Sequence, residues 1–424
     1  MSAAPSSASA HYQAAYDSLR PRLAGDLPAR DAAMARFAVL GFPQAREEAW
    51  RYTSLRRLEA RRFTPAAGPV PVPAGLPAAL VPHRLVLTNG APSEALPSSL
   101  AGFTVGTPGT QSPESLPQHR TAGAERFVAL NAALTPGPVR LVMEAGRQES
   151  GILQLTLLTT GAGPTLASPR IEVRLGAGSR GRLLLEHLDD AAHEHFSNAV
   201  LDVELGAGAQ LTVYRLQQQG DKAFHIERIE ARLADDASFV LRDSQLGGSL
   251  SRLDVNVSLD GRGASTEVTG VFLADASRHL DTRVLVDHRG VGTSSLQDYR
   301  GIAANKGRGV FNGKSIVHVG AQQSNARQVS RNLLLTPGAE IDTKPDLEIY
   351  ADDVKCSHGA TTGQLDPAAL FYLRSRGLDE SEARSALTRA FAGAVLARVD
   401  EPALSARVQH ELDQRLLRLL ETTA

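Results

Sequence analysis

Near its C-terminal end the chain reads Tyr350-Ala-Asp-Asp-Val-Lys-Cys-Ser-His-Gly-Ala-Thr361, which places its only cysteine, Cys356, two residues before His358. Thiolate and neutral imidazole are the side chains that most readily ligate soft transition metals. In a strand, residues two apart face the same side, so both donors can address one metal. Two groups do not close an iron–sulfur cluster, which usually takes four protein ligands, so a cluster held here needs its other ligands from another chain. Lys355 would lower the Cys356 thiol pKa only if the two side chains met, and adjacent strand positions point apart. Taken alone, a Cys-x-His is an inert thiol beside a solvated histidine; its surroundings have to decide.

Three other constellations carry chemical groups. His187, His193 and His195 lie among Asp189, Asp190 and Glu194, and His193-x-His195 resembles a metal hairpin. The Leu-Asp-Asp-Ala-Ala run between them reads instead as a solvated loop joining two strands, and that reading is favoured. Glu340, Asp342, Asp346, Glu348, Asp352 and Asp353 form an acidic run. Glycosidases need paired carboxylates at set distances, but acidic residues near strand ends more often protect an edge. Asn312-Gly-Lys-Ser315 matches only the end of a phosphate-binding loop and lacks the upstream glycine. Any nucleotide hydrolysis is therefore expected from a partner.

Those groups must be positioned by a long, turn-rich chain. Its 424 residues are ample for a large core and more than one domain. A net charge of -1 creates no field that favours nucleic acid or an anionic membrane. No apolar run reaches the roughly 18 residues of a spanning helix, and the first residues lack the basic and apolar regions of a secretory signal. With one cysteine there is no internal disulfide, which fits a reducing cytoplasm. Gly (37) and Pro (23) suit a β architecture with many turns. Of the 45 basic residues only Lys222, Lys306, Lys314, Lys344 and Lys355 are lysines, and four of these five lie between 306 and 355.

Residues 1–64 read as an N-terminal helical region. Tyr12, Ala15, Tyr16 and Leu19 recur at helical spacing, as do Met34, Phe37 and Ala38, before Gly41-Phe-Pro43 stops the helix. Residues 65–138 read as a Pro/Gly/Ser-rich linker and entry to the core, with 64–82 extended and 91–123 a loop. From 139 to 365 short alternating runs recur, including Ile171-Glu-Val-Arg-Leu175, Leu201-Asp-Val-Glu-Leu205, Ile229-Glu-Ala-Arg-Leu233 and Val255-Asn-Val-Ser-Leu259. Each is followed by a turn and a second strand. The closing leucines 175, 205, 233 and 259 are spaced 30, 28 and 26 residues apart. Leu335-Thr-Pro-Gly-Ala339 reads as a later copy, close to three more periods on. Paired strands at such a period predict a solenoid, each coil stacked on the last; alternation alone also allows a sandwich. Residues 366–424 read as a C-terminal helical domain. Asp366-Pro367 opens one helix, Asp379 with Glu382 forms a capping box for the next, and Leu404, Val408, Leu412, Leu416 and Leu419 line a last helix. These apolar faces need cover from the solenoid, from each other or from another protein.

From Tyr299 to Phe391 the chain resembles the SufB/SufD family of iron–sulfur cluster assembly proteins. The matching pieces are Tyr299-Arg-Gly-Ile302, Phe311-Asn-Gly-Lys314, Ala321-Gln-Gln-Ser-Asn-Ala-Arg-Gln328, Asn332-Leu-Leu-Leu335, Lys344-Pro-Asp-Leu-Glu-Ile-Tyr350, the Cys-Ser-His-Gly-Ala-Thr run and Leu370-Phe-Tyr-Leu-Arg-Ser-Arg-Gly377. Glu48-Ala-Trp-Arg-Tyr-Thr53 is similar to the family's N-terminal helical region. SufB members tend to carry Glu directly after the histidine, whereas Gly359 stands here, the SufD-like form. The resemblance implies a mainly β chain, a right-handed parallel β-helix core flanked by N-terminal and C-terminal helices. It implies a non-enzymatic scaffold subunit that pairs with a SufB-like paralogue and docks a SufC-like ABC ATPase through its C-terminal helices. The cluster would be transient and shared, with His358 as a candidate ligand at the subunit interface and Cys356 beside it. Two alternatives stand against this: a SufB-like homodimeric scaffold and, from another class, a β-helix carbohydrate-active enzyme. A homodimer is also open to the isolated chain.

Overall fold

A computed structural model describes residues 7–421 other than 45, 67, 69, 107–124 and 150. Successive strands alternate between two parallel sheets. Arg170–Leu175, His195–Leu205, Phe224–Leu233, Leu250–Leu259, His279–His288, Arg308–Val317 and Glu340–Ile349 stack in one. Arg180–Asp189, Gln210–Gln217, Ser238–Gln245, Ser265–Ala274, Ser294–Ala303, Asn325–Leu334 and Lys355–Gly363 stack in the other. This is a parallel β-solenoid, with no sandwich of antiparallel hairpins.

The leucines that set the sequence period are register partners. Leu175 pairs with Leu205, Leu205 with Leu233, and Leu233 with Leu259. The column runs on through His288, Val317 and Ile349. Leu335 is not its next member, contrary to the sequence expectation. It follows Asn325–Leu334 in the second sheet, at the opposite corner of the coil, because a Pro-Gly turn imitates the Gly turns of the first corner. At that first corner Gly178, Gly208, Asp236, Gly263 and Gly292 all have positive φ, between 55° and 70°. The amide of each reaches the carbonyl of the next coil: Gly178 to Ala207, Gly208 to Asp235, Asp236 to Arg262, Gly263 to Val291. Glycine, and occasionally Asp, takes this left-handed conformation at least cost.

Alternation sends one residue set inward. Leu183, Leu185, Leu211, Val213, Phe239, Leu241 and Val268 from the second sheet meet Leu201, Val203, Ile229, Ala231, Val255 and Val257 from the first. Each large side chain buried in this way contributes roughly 1.5–3 kcal/mol. The outward residues need cover, and the helices supply it. Helix α1 (Ser7–Leu19), α2 (Leu27–Leu40), the short α3 (Arg56–Glu59) and α4 (Glu125–Leu134) lie on the first sheet, where Trp50, Phe63 and Phe127 pack on Phe196, Phe224, Ile226 and Leu250. Helices α6 (Glu380–Leu396) and α7 (Pro402–Glu421) lie on the second, where Ala392, Leu396, Leu404, Val408 and Leu412 meet Leu184, Tyr214, Leu216, Val271, Leu273 and Ile302. The Leu419 side chain lies outside the described residues. Helix α5 (Pro367–Ser375), between the last strand and α6 in the chain, buries none of its residues.

Both sheets begin earlier than 139. His83–Thr88 pairs in parallel with Leu153–Thr159, and Phe103–Gly106 pairs with Val139–Met143. Short strands with Pro-rich flanks hide their alternation, although Leu87, Phe103 and Val105 are core residues. The remainder of the loop expected over 91–123 lies outside the described residues from 107 onward.

Candidate metal centre

Cys356 and His358 sit on Lys355–Gly363, the edge strand of the second sheet, which pairs with Asn325–Leu334 on one side. Its register fixes where the two residues face. Cys356 pairs with Ala326, then Ser295, Thr266 and the core residue Phe239; His358 pairs with Gln328, then Gln297, Val268 and the core residue Leu241. Parallel in-register partners share a face, so both stand on the inward columns of the solenoid. No further coil of this chain covers them among the described residues. Cys356 is half-buried against a small cluster of Val317, Ala321 and Ala351, and His358 is exposed. Partial burial raises the Cys356 thiol pKa, and a hydrogen bond from the Ala326 backbone opposes that rise. Lys355 points to the other face, as adjacent strand positions require. Close to this open end, Val319, Ile349 and Tyr350 remain in water.

The acidic run on Glu340–Ile349 is paired with the preceding coil. Arg308 meets Glu340 at 3.0 Å and Asp342 at 2.8 Å, and Lys314 meets Glu348 at 2.5 Å and Asp346 at 3.7 Å. Lys314 holds the Glu348 carboxyl below its ordinary range. Asp352 and Asp353 are exposed in the turn that follows. This is a ladder of ion pairs along an edge, not a facing carboxylate pair. Lys344 crosses to Glu48 of the N-terminal region at 2.7 Å.

The histidine group divides. The surface loop expected over 188–192 falls at 190–194, because Leu188 and Asp189 end the strand before it, and His195, at the start of the next strand, is fixed by Asp190 at 2.8 Å. His187 points into the solenoid and keeps different company. It lies beside His225, with ring centroids 4.6 Å apart, and its Nε2 is 3.2 Å from Glu227 Oε2. His225 and Glu227 were not singled out by sequence reading. They reach His187 only through the stacking of coils, and the one trace in the sequence is polar residues at inward positions of strand ends.

The matched region encloses these features. A model of the SUF system FeS cluster assembly SufBD core domain matches residues 157–391, more than half of the chain. The chain belongs to the SufBD family. It is 31% identical to the iron–sulfur cluster assembly protein SufD of Escherichia coli K12, covering 89% of this chain and 90% of that protein. It is 32% identical to an iron–sulfur cluster assembly SufBD family protein of Synechocystis, covering 90% of this chain and 89% of that one. The chloroplastic protein ABCI7 of Arabidopsis thaliana is 35% identical over 54% of this chain and 49% of its own length. The SufBD core takes in the last strand, with Cys356 and His358, and α5 beyond it. Among the described residues no helix is long and apolar enough to cross a membrane.

Proposed function

We propose that this SufBD family member acts as the SufD-like half of a two-subunit scaffold in the cytoplasm, on whose shared seam an iron–sulfur cluster is built. The observation that carries this reading is the position of Cys356 and His358: inward-facing donors on the last, uncovered strand of a solenoid. An exposed parallel edge is a template for another chain's strands. A SufB-like paralogue stacked on this edge would continue the coil and bring the missing ligands to the same column. Val319, Ile349 and Tyr350 are the apolar surface such a partner would cover. In the isolated chain the same edge can accept a second copy of itself. The cluster is cargo that passes through the seam to an acceptor, and this chain contributes ligands rather than turnover of a small substrate. Energy for opening or release comes from a SufC-like ATPase docked on the C-terminal helices, of which α5 carries exposed Phe371 and Tyr372.

The test is His358→Ala in the complex assembled with its partners. An exposed imidazole is not needed for packing, so folding and partner binding are expected to stay at the wild-type level while cluster yield, read as iron and acid-labile sulfide per complex, falls. Wild-type yield in that variant would move the ligand role wholly onto the partner.

A further inference from the structure

Midway along the solenoid interior, far from the open edge, lies a closed polar cluster in an otherwise apolar core. His187 from Arg180–Asp189, Arg215 from Gln210–Gln217, Asp243 from Ser238–Gln245, and His225 with Glu227 from Phe224–Leu233 all face inward, and all are buried. Glu227 Oε2 is 3.2 Å from His187 Nε2 and 3.2 Å from His225 Nε2, and the three ligand atoms lie within 4.8 Å of one another. A first-row metal with bonds of 2.0–2.1 Å in tetrahedral geometry holds its ligand atoms about 3.3 Å apart. Two imidazoles and one carboxylate are the protein ligands of sites that keep one position open, for zinc and for non-haem iron alike.

Two further observations point to a cation. Nδ1 of His187 and Nδ1 of His225 have no hydrogen-bond partner, and Nε2 of His187, 3.2 Å from Glu227 Oε2, lacks hydrogen-bond geometry to it, although both residues are fully buried. Buried polar atoms are nearly always satisfied. Arg215 supplies the one permanent positive charge against the carboxylates of Glu227 and Asp243, at 2.5 Å and 2.7 Å. Burial in this dry interior raises the Asp243 pKa. Arg215 is also the competitor: its guanidinium donates to Glu227 and stands 3.0 Å from His225 Nε2. A metal could enter only if Arg215 leaned onto Asp243, where one of its nitrogens already donates.

We infer that His187, His225 and Glu227 form a second metal site, closed within the solenoid and selective for a divalent first-row ion such as Zn(II) or Fe(II). The site has no opening to solvent, so it loads as the coils close around it, and its metal contributes to the stability of the fold. It is separate from Cys356 and His358 and does not depend on the role proposed for them.

The experiment refolds the full chain with one equivalent of Zn(II) or Co(II), removes loose metal with a chelator, and measures metal retained per chain. The same is done for a Cys356→Ser/His358→Ala double variant. Retention of one ion in both, the intense visible bands of four-coordinate cobalt, and an anomalous-scattering peak between His187 and Glu227 are expected. His187→Phe is the discriminating variant. This change keeps a buried aromatic ring in place and removes the ligand nitrogen that faces Glu227, and it should lower metal retention at least about tenfold, the loss that even outer partners of a ligand cause. Absence of retained metal in the refolded wild type would overturn the inference. So would a peak only at Cys356 and His358, or undiminished retention in His187→Phe.

Discussion

Burial beside Val317, Ala321 and Ala351 pushes the Cys356 thiol above its ordinary pKa, so in the free chain it is protonated at neutral pH and a weak nucleophile. A metal delivered to the seam would deprotonate it outright. Alkylation of the isolated chain by iodoacetamide should therefore rise with pH about a midpoint above the ~8.5 of a free cysteine. A midpoint below that value would mark an activated thiol and assign Cys356 to sulfur relay rather than ligation. The pair Cys356 and His358 was legible because both donors lie two residues apart on one strand, within motifs that resemble a family. The trio His187, His225 and Glu227 was not. Its members come from separate coils, and in the sequence His187 looks like the neighbour of His193 and His195, from which the strand direction separates it. One-dimensional spacing reports what shares a strand and is silent about what the next coil places opposite.

Helix boundaries were readable for the same local reason. Asp366 caps α5 through the Ala368 amide, and Asp379 and Glu382 exchange the two bonds of a capping box at the start of α6. What the apolar faces touch was not readable. The family resemblance puts an ATPase on the C-terminal helices, yet the apolar faces of α6 and α7 lie on the chain's own sheet, and the Tyr214 hydroxyl donates to Asp400 at the junction. Removal of 379–424 would bare Leu184, Leu216, Val271, Leu273 and Ile302, so loss of ATPase binding by that truncation would say little about the interface. The better probe is α5, where Phe371 is 75% and Tyr372 55% exposed. Aromatic anchors of this kind typically cost about 2 kcal/mol when truncated. Phe371→Ala with Tyr372→Ala should weaken ATPase binding by at least roughly thirtyfold by calorimetry and leave the melting temperature of the chain unchanged. Undiminished affinity would place the docking surface elsewhere on the tail.

At the scale of the molecule, the leucine column explains both the stability of the solenoid and one of its weaknesses. Each coil is held by its neighbours, so stability is close to a sum of coil and interface contributions. The column of Leu175, Leu205, Leu233 and Leu259 is interrupted by His288 before Val317 restores it. His288 is fully buried, hydrogen-bonded through Nδ1 to Thr293 and through Nε2 to Ser295, each at 2.8 Å. Burial lowers its pKa to about 4, opposed only by Asp287. An unfolded histidine titrates near ~6.5. Between those values the unfolded chain binds a proton that the folded chain refuses, so stability rises with pH and is lost as pH falls from about 6.5 toward 4. His279, half-buried, lowered by desolvation and bonded to Thr53 of the N-terminal region, works in the same direction. By this linkage His288 alone should remove on the order of 3 kcal/mol by pH 4. Urea unfolding of the full chain at steps from pH 7 to pH 4.5 should show a falling midpoint. His288→Gln keeps a hydrogen-bonding side chain but cannot titrate, so its midpoint should fall less steeply over the same range even if it starts lower. Parallel slopes for the two proteins would mean that His288 is not what makes the stack sensitive to acid, and the cause would then lie with carboxylates that titrate at lower pH.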